Sequence, residues 1–374
     1  MTKHIAIFLP SLRGGGAERV MVTLANGFAA RGFRTDLVLA QAVGPYLEEV
    51  AANVRVVDLG SSRVALSLLP LMRYLRQSRP MAMLSALGHA NVIAAVAKQL
   101  SGVGTRLVVS ERSTLSDEVI RNRTGRSRLL PFMMTKTYRF ADSIVAVSEG
   151  SAHALSERIG VSQNAVRVIY NPIDCERIRG LSLEPPEHPW FREDGLPIVL
   201  AAGRLTAAKD HKTLIRAFAR VRQKQAARLV ILGEGECRNE LEALVKTLGL
   251  DDCVSMPGFA NNPFQYMRRA QLFVLSSAWE GLPGVLLQAM ACGTRVVSTN
   301  CKSGPSEILE HGKWGDLVQV GDAEALAGSI VRNLDAPKLI NFDDRLEEFS
   351  PSKILDAYED ELFKGGLNNN TVCC

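Results

Sequence analysis

The side chains best suited to bind a ligand or take part in a reaction lie in residues 273–297, where one acid and one amide share a single segment. The apolar run 273–275 predicts a buried strand, Glu280 follows in a small polar loop, and a Gly-Leu-Pro-Gly step starts a helix carrying Gln288. Ligands bind at the carboxyl ends of the strands in an open α/β sheet. Gln288 falls within the first two turns of the helix, so its amide and the Glu280 carboxylate can contact one ligand. A polyol with neighbouring hydroxyls, such as ribose, suits this pair.

A second pair of side chains that could bind a ligand follows the predicted strand 198–202. Arg204 and Lys209 lie on the loop that leads from this strand to the next predicted helix. Two cations at such a step can clamp a diphosphate without a metal ion. A solvated pair of loop charges is the alternative, and the residues alone do not decide between the two.

Glycine-rich turns follow three other predicted strands. Residues 14–16 are all glycine, and consecutive glycines let backbone N–H groups approach a phosphate or a sugar closely. The dinucleotide-binding fingerprint is absent, because Arg19 occupies the position of its third glycine. Glu234 and Gly258 lie in comparable turns farther along the chain. Ordinary tight turns would produce the same three patterns.

Candidate acid–base and acceptor-binding side chains lie in the first half of the chain. Glu111 and Arg112 directly follow the predicted strand 107–110. The carboxylate can align an acceptor hydroxyl or steady a developing charge, and the guanidinium can hold a phosphate. A structural ion pair is the alternative. His89 follows another predicted strand, although a lone histidine is more often a capping or core residue.

The elements that must position these residues alternate between short apolar strands and helical patterns in both halves. This alternation predicts an α/β protein with a parallel sheet in each half. The segment 183–197 holds four prolines and little periodicity, so it is the predicted linker. The resulting domains are 1–182 and 183–350, followed by a helix and a frayed tail in 351–374.

Composition bounds the class of protein. The 374 residues are too many for one ordinary core, and 47% hydrophobic with 22% charged residues is typical of a soluble globular protein. A net charge of +5 fits an acidic substrate or an anionic membrane and gives little support to nucleic-acid binding, so none is predicted. Seven cysteines without a Cys-x-x-Cys spacing, together with no secretory signal, favour the cytoplasm.

The segment 121–134 combines four arginines with an apolar run. Basic residues beside apolar ones suit peripheral contact with an anionic membrane, here its inner face. A basic loop that leads into a buried helix is the alternative, and both remain open.

Taken together, the motifs resemble those of the retaining, nucleotide-sugar-dependent glycosyltransferases of family 4, which have the GT-B fold. The Glu280 region is similar to the family's Glu-x7-Glu segment, with Gln288 in place of the second acid. The run Gly-Gly-Ala-Glu-Arg at 15–19 and the Gly-Arg-Leu-x(3)-Lys setting at 203–209 also match. The resemblance implies two Rossmann-like doubly wound domains facing across a cleft, with the last helix crossing back to the first.

The resemblance also implies a function: transfer of a sugar from a nucleotide sugar, expected to be a UDP-sugar, to a lipid-linked or polysaccharide glycan acceptor. The sequence contains no Asp-x-Asp motif, so side-chain cations are expected to neutralise the diphosphate, with no metal or other cofactor. A sugar-nucleotide epimerase of the same architecture and a non-catalytic binding module are the alternatives. The implied catalytic residues are Glu280, Arg204, Lys209 and Glu111; the donor-binding residues are Gly15, Gly16, Arg204, Lys209, Glu234, Gly258, Glu280, Gly281, Leu282, Pro283 and Gln288; and the acceptor-binding residues are His89 and Arg112.

Overall fold

The computed structural model describes residues 2–112, 125–191, 195–336 and 339–364, with the backbone alone at 125–128. The chain forms two compact units. The first contains Met1–Pro172 and resumes at Pro351, and the second is Ile173–Ser350. Each unit is built on a parallel sheet with helices, which confirms the predicted α/β class.

The first unit has a seven-stranded parallel sheet of order β3-β2-β1-β4-β5-β6-β7. Its strands are β1 (His4–Leu9), β2 (Arg34–Leu39), β3 (Val54–Asp58), β4 (Ala82–Ala86), β5 (Arg106–Glu111), β6 (Ser143–Ala146) and β7 (Val166–Val168). Its helices include α1 (Gly16–Ala30), α2 (Leu68–Ser78), α3 (Gly88–Ser101), α4 (Gly125–Thr137) and α5 (Glu149–Ile159). The strand order reverses direction between β1 and β4, so a switch point lies there.

The second unit repeats this plan with a six-stranded parallel sheet of order β10-β9-β8-β11-β12-β13. Its strands are β8 (Ile198–Ala202), β9 (Arg228–Leu232), β10 (Val254–Gly258), β11 (Leu272–Leu275), β12 (Arg295–Thr299) and β13 (Asp316–Val318). Its helices include α6 (Cys175–Ser182), α7 (His211–Arg222), α8 (Arg238–Thr247), α9 (Phe264–Arg269), α10 (Gly284–Ala291), α11 (Pro305–Ile308), α12 (Ala323–Leu334) and α13 (Asp343–Leu346). The switch point of this sheet lies between β8 and β11.

The central strands are buried on both faces, which explains their nearly continuous apolar sequences. Every residue of β1 is buried, as is every residue of β8. Such strands cannot move without disrupting both layers of helices. The loops at their carboxyl ends therefore start from fixed points.

Helix α6 belongs to the second unit, so the two units meet in sequence after Pro172 rather than at the proline-rich segment 183–197. The reason is the packing of α6 on α9 and α10. Arg179 Nε donates to the carbonyl oxygen of Ala291 at 3.2 Å, and its guanidinium also pairs with Asp343. The prolines lie beyond this helix, within the second unit.

The last helix, α14 (Pro351–Phe363), packs in the first unit against α1, β4 and β5. Its apolar face buries Ile354, Leu355, Tyr358 and Leu362. Arg106 Nε donates to the carbonyl oxygen of Glu361 at 2.7 Å, which fixes the helix to the start of β5. Within the described ranges no helix has the length and apolar character needed to span a bilayer.

Candidate functional site

At the switch point of the second sheet, Lys209 and Glu280 form an ion pair. Lys209 follows β8 and Glu280 follows β11, and the two strands are neighbours. Lys209 Nζ lies 2.5 Å from Glu280 Oε1, and the two side chains are 21% and 13% exposed. The structure thus brings together two residues that the sequence assigned separately to the diphosphate and the sugar.

Backbone and hydroxyl contacts fasten the two loops to each other. Ser276 Oγ donates to the carbonyl oxygen of Lys209 at 2.8 Å, and the Ala278 N–H donates to the carbonyl oxygen of Ala208 at 2.8 Å. From β12, Thr299 Oγ1 donates to the carbonyl oxygen of Ser277 at 2.6 Å. The carboxylate and the ammonium are therefore held on a braced scaffold, as a preorganised site requires.

Ser277 is a site residue that the sequence analysis missed. Its hydroxyl donates to Glu280 Oε1 at 2.6 Å, and the residue is fully buried. The only signal in the sequence is a small polar residue three positions before the acid. That pattern is common in loops and does not by itself identify a partner.

Arg204 lies on the same loop as Lys209 and is exposed. Among the described residues its guanidinium has no hydrogen-bond or ion-pair partner. A planar cation with five N–H donors in this position is available to an anionic ligand. Lys209 also lies next to Asp210, the N-cap of α7, whose carboxylate accepts a hydrogen bond from the Thr213 N–H group at 3.3 Å.

The loops after β8, β9 and β10 contact each other through their backbones. Gly203 N–H donates to the carbonyl oxygen of Leu232, and Gly233 N–H donates to that of Gly258, at 2.9 and 2.8 Å. Gly233 has a φ of +136°, and a Cβ there would lie 2.0 Å from the carbonyl oxygen of Gly203. Only glycine permits this approach. The three loops therefore form one continuous edge.

Glu234 lies on this edge, half-exposed and paired with Arg238. The guanidinium makes two parallel hydrogen bonds, Nε to Oε2 at 2.7 Å and Nη2 to Oε1 at 2.8 Å. The bonds from Arg238 hold the pKa of the Glu234 carboxyl below its usual value. Gly258 is adjacent, since a Cβ at this residue would lie 2.8 Å from Glu234 Oε1. The sequence predicted both as donor-binding, and the structure places them side by side.

The other predicted donor-binding residues lie where β11 leads into α10. Leu282 and Pro283 are buried, Gly281 is half-buried, and Pro283 precedes the first residue of the helix. Gln288 is the fifth residue of α10 and is half-buried. Its side-chain amide has no hydrogen-bond partner in the described part of the chain, so both its carbonyl and its NH₂ group can serve a ligand.

His211, the first residue of α7, is almost completely buried and close enough to Lys209 to feel its charge. Neither ring nitrogen has a hydrogen-bond partner among the described residues. Burial, with a smaller contribution from the Lys209 charge, lowers the pKa of His211 to about 4. The imidazole is therefore neutral at pH 7 and adds no charge to the site.

In the first unit, the glycine loop after β1 is occupied by a carboxylate of its own chain. Glu18 Oε2 accepts hydrogen bonds from the backbone N–H groups of Gly14 at 2.9 Å and of Gly15 at 2.5 Å. Gly16 is exposed and begins α1. The N–H groups that the resemblance assigned to the donor are thus partly engaged by an acid at the helix N-terminus.

The predicted residues at the end of β5 are buried in a hydrogen-bond network. Tyr138 Oη donates to Glu111 Oε2 at 3.2 Å and accepts from Asn91 Nδ2 at 3.1 Å. Arg112 Nη1 donates to Tyr358 Oη at 3.0 Å, and its other terminal nitrogen donates to the side-chain oxygen of Asn171. Arg112 therefore stabilises the packing of β5, β7 and α14, whatever else it does.

His89 is exposed at the start of α3, next to a strained turn. Leu87 adopts φ +77°, which a bulky side chain rarely does. The turn brings Gly88 close to Glu111, since a Cβ at Gly88 would lie 3.3 Å from Glu111 Oε2. Backbone strain of this kind is concentrated at functional sites. A leucine at positive φ has no sequence signature, so this feature could not be predicted.

The basic segment 121–134 is described only in part, because residues 121–124 and the side chains of 125–128 lie outside the described residues. On α4, Leu129 is 56% exposed and Phe132 is 60% exposed. Lys136 Nζ lies 5.7 Å from the centroid of the Phe132 ring. The described part of the segment thus exposes two apolar side chains, and Lys136 lies just beyond it on the same helix.

Family models match both halves of the chain. Residues 14–177 match the model described as Glycosyltransferase Family 4, and residues 196–336 match the model described as Glycosyl transferases group 1. The N-acetylgalactosamine-N,N'-diacetylbacillosaminyl-diphospho-undecaprenol 4-alpha-N-acetylgalactosaminyltransferase of Campylobacter jejuni is 33% identical over 345 residues, which are 90% of this chain and 92% of that protein. The lipopolysaccharide core biosynthesis glycosyltransferase LpsE of Rhizobium meliloti is 30% identical over 325 residues, 85% of each protein.

Among solved structures, the chain is similar to Anabaena HepE in complex with UDP. The TM-score is 0.73 at 22% identity, and the match covers 97% of this chain and 99% of that one. This likeness, with the two parallel sheets, confirms the GT-B fold.

Proposed function

Because this chain belongs to glycosyltransferase family 4, we propose that it transfers a sugar from a UDP-sugar to a lipid-linked glycan acceptor, with retention of configuration. One observation carries the proposal. At the switch point of the second sheet, Lys209 and Glu280 form an ion pair, and the same loop as Lys209 carries the exposed guanidinium of Arg204, which has no partner among the described residues. This edge offers cations for a diphosphate and a carboxylate for a sugar within one site.

Arg204 and Lys209 stabilise the leaving diphosphate in this proposal. The charge that develops on the departing nucleotide is met by these two cations. The complex of HepE with UDP supports a uridine nucleotide as the carrier of the donor sugar. Metal independence belongs to the proposal as well, because two side-chain cations can supply the charge that a metal would otherwise bring.

Glu280 and Gln288 contact the sugar and the ribose. The Glu280 carboxylate orients the transferred sugar, and the Gln288 amide hydrogen-bonds a ribose hydroxyl. An amide lacks the charge of the acid in the family pattern, which weakens that contact by about 1 kcal/mol. The loss falls on donor affinity and leaves the reaction itself intact.

The first unit binds the acceptor. The Campylobacter jejuni relative acts on a diphospho-undecaprenol-linked sugar, which supports a lipid-linked acceptor. Exposed Leu129 and Phe132 on α4, next to Lys136, are suited to peripheral contact with an anionic membrane. His89 and Glu111 lie at the strained turn where an acceptor hydroxyl would be aligned.

Mass spectrometry of products tests the proposal. UDP-sugars are screened against undecaprenyl-diphosphate-linked acceptors, with and without EDTA, and the wild type is compared with Glu280→Ala. Glu324→Ala is the control, because Glu324 is an exposed acid in the first turn of α12. A glycosylated acceptor that Glu280→Ala fails to form is the expected result.

Other outcomes contradict specific parts of the proposal. Accumulation of an epimerised sugar nucleotide indicates an epimerase, and binding without turnover indicates a binding module. Full activity of Glu280→Ala shows that the site is assigned wrongly. Loss of activity in EDTA shows that a metal takes part.

A further inference from the structure

We infer that Ser277 is a positioning residue of the donor site, whose hydroxyl keeps the Glu280 carboxylate in place when Lys209 turns to the donor diphosphate. The inference deepens the proposed function and rests on it, because it requires a diphosphate near Lys209. Nothing in the sequence pattern assigns a role to this serine.

The geometry is specific to one oxygen atom. Ser277 Oγ and Lys209 Nζ both donate to Glu280 Oε1, at 2.6 and 2.5 Å. Hydrogen bonds to an ionised carboxylate are stronger than those between neutral groups. Both hydrogen bonds therefore restrain the position of Glu280 Oε1.

Ser277 can do this because its backbone is fixed. The residue is fully buried, its carbonyl oxygen accepts from Thr299 Oγ1 at 2.6 Å, and the next N–H group donates to Ala208 at 2.8 Å. Lys209 has a long flexible side chain that is 21% exposed, so its ammonium can move. One donor is rigid and the other is mobile.

The consequence concerns donor binding. When the Lys209 ammonium moves to the diphosphate, Ser277 keeps a hydrogen bond on Glu280 Oε1, and the carboxylate stays where the sugar needs it. Without the Ser277 hydroxyl, the Lys209 ammonium supplies a larger share of the hydrogen bonding to Glu280 Oε1. Moving this ammonium to the diphosphate therefore costs more free energy. Ligands that contain a diphosphate should lose affinity, whereas the nucleoside alone should not.

The chain offers a closely matched control in Ser329. This serine is also fully buried, and its hydroxyl donates to Asp316 Oδ2 at 2.5 Å. Arg332 Nη2 donates to the same oxygen at 3.0 Å, and Asn333 Nδ2 does so at 3.1 Å. Ser329→Ala therefore removes a hydroxyl that shares a carboxylate oxygen with a cation, in the same unit but on α12, away from Glu280.

The test measures binding of UDP by calorimetry and of uridine by ligand-observed NMR to the full chain. Ser277→Ala should weaken UDP binding roughly tenfold, the value of one hydrogen bond to a charged group, and leave uridine binding unchanged. Ser277→Cys, with a similar volume and a weaker donor, should give an intermediate affinity for UDP. Ser329→Ala should bind UDP and uridine like the wild type.

A double-mutant cycle isolates the coupling. In the Glu280→Ala background Lys209 has no carboxylate to leave, so adding Ser277→Ala should not change UDP affinity further. Equal losses from Ser277→Ala with and without Glu280, or equal losses from Ser277→Ala and Ser329→Ala, would overturn the inference. If a folded Ser277→Ala or Ser277→Cys protein binds UDP with wild-type affinity, the inference about Ser277 is overturned while the proposed donor stands. A wild type that binds no uridine nucleotide overturns the proposed donor and the inference with it.

Discussion

Arg112 Nη1 donates a hydrogen bond to Tyr358 Oη at 3.0 Å, which joins the end of β5 to the last helix across 246 positions of the sequence. Both residues are buried. Burial lowers the pKa of the Arg112 guanidinium, while Tyr358 and the Glu111 charge oppose this effect. A buried cation whose hydrogen bonds go to two hydroxyls and an amide depends on every one of them.

Tyr358→Phe should therefore destabilise the first unit. The substitution keeps the ring and removes only the hydroxyl that accepts from Arg112, so a buried charged donor loses a partner. The expected loss is about 1–3 kcal/mol in the free energy of unfolding. Calorimetry that resolves the unfolding transition of this unit measures it, since two units need not unfold together.

Tyr46→Phe is the control, because Tyr46 is half-buried and contacts Arg19 through its ring. Equal stability of the two variants would show that the Arg112–Tyr358 bond contributes nothing.

His211 should make the second unit lose stability in mild acid. Burial and Lys209 lower the pKa of His211 from 6.5 to about 4. Below pH 6.5 the unfolded chain takes up a proton that the folded chain does not, so stability falls until pH reaches about 4. The difference corresponds to about 3 kcal/mol.

His211→Phe removes this linkage while keeping a planar ring of similar size. Thermal unfolding at pH 7 and at pH 4.5 measures the effect in the wild type and the variant. The variant should lose less stability between the two pH values than the wild type does. Identical losses would show that the imidazole is protonated in the folded protein.

Much of the fold could be predicted because its signals are local. The run 198–202 predicted β8 with its observed bounds, and residues 273–275 predicted all but the first residue of β11. Buried parallel strands are short and continuously apolar, which a sequence displays directly. The domain boundary was less accessible, since the contacts of Arg179 that attach α6 to the second unit involve residues more than a hundred positions away.

The candidate site likewise has features that the local sequence predicts and features that depend on distant contacts. Glu280 and Lys209 were each identified from a local motif, but their contact spans 71 positions and depends on which strands are neighbours. The engagement of Arg112 by Tyr358 depends likewise on the return of the last helix. Residue types indicate what a side chain can do, whereas its partner is set by the tertiary structure.

Exchanging acid and amide at the two ends of the 280–288 segment should separate donor affinity from turnover. Gln288→Glu restores a charged acceptor for a ribose hydroxyl, so donor KM should fall several-fold with kcat little changed, in line with about 1 kcal/mol. Glu280→Gln removes the charge that the Lys209 ammonium and the sugar share, so kcat should fall. Steady-state kinetics with a UDP-sugar measure both. The opposite pattern would mean that the two roles are reversed.

Glu18 provides a test of the glycine loop, because its carboxylate lies on the N–H groups of Gly14 and Gly15. If this loop contacts the donor, as the resemblance to family 4 implies for Gly15 and Gly16, the negative charge of Glu18 opposes the diphosphate. Glu18→Gln keeps an oxygen acceptor for the loop and removes that charge. UDP should then bind roughly threefold more tightly, the effect of one partly screened charge. The free energy of unfolding should fall by about 1 kcal/mol, because a neutral amide is a poorer partner at a helix N-terminus.

Calorimetric titration with UDP and thermal unfolding, run on the same Glu18→Gln preparation, separate the two contributions. Glu48→Gln removes an exposed acid from the same unit and should change neither quantity. A loss of stability with unchanged UDP affinity would show that Glu18 acts only as a helix cap. The Gly15 and Gly16 assignments would then be wrong, while those of Arg204 and Lys209 would stand, since they depend on the second unit alone.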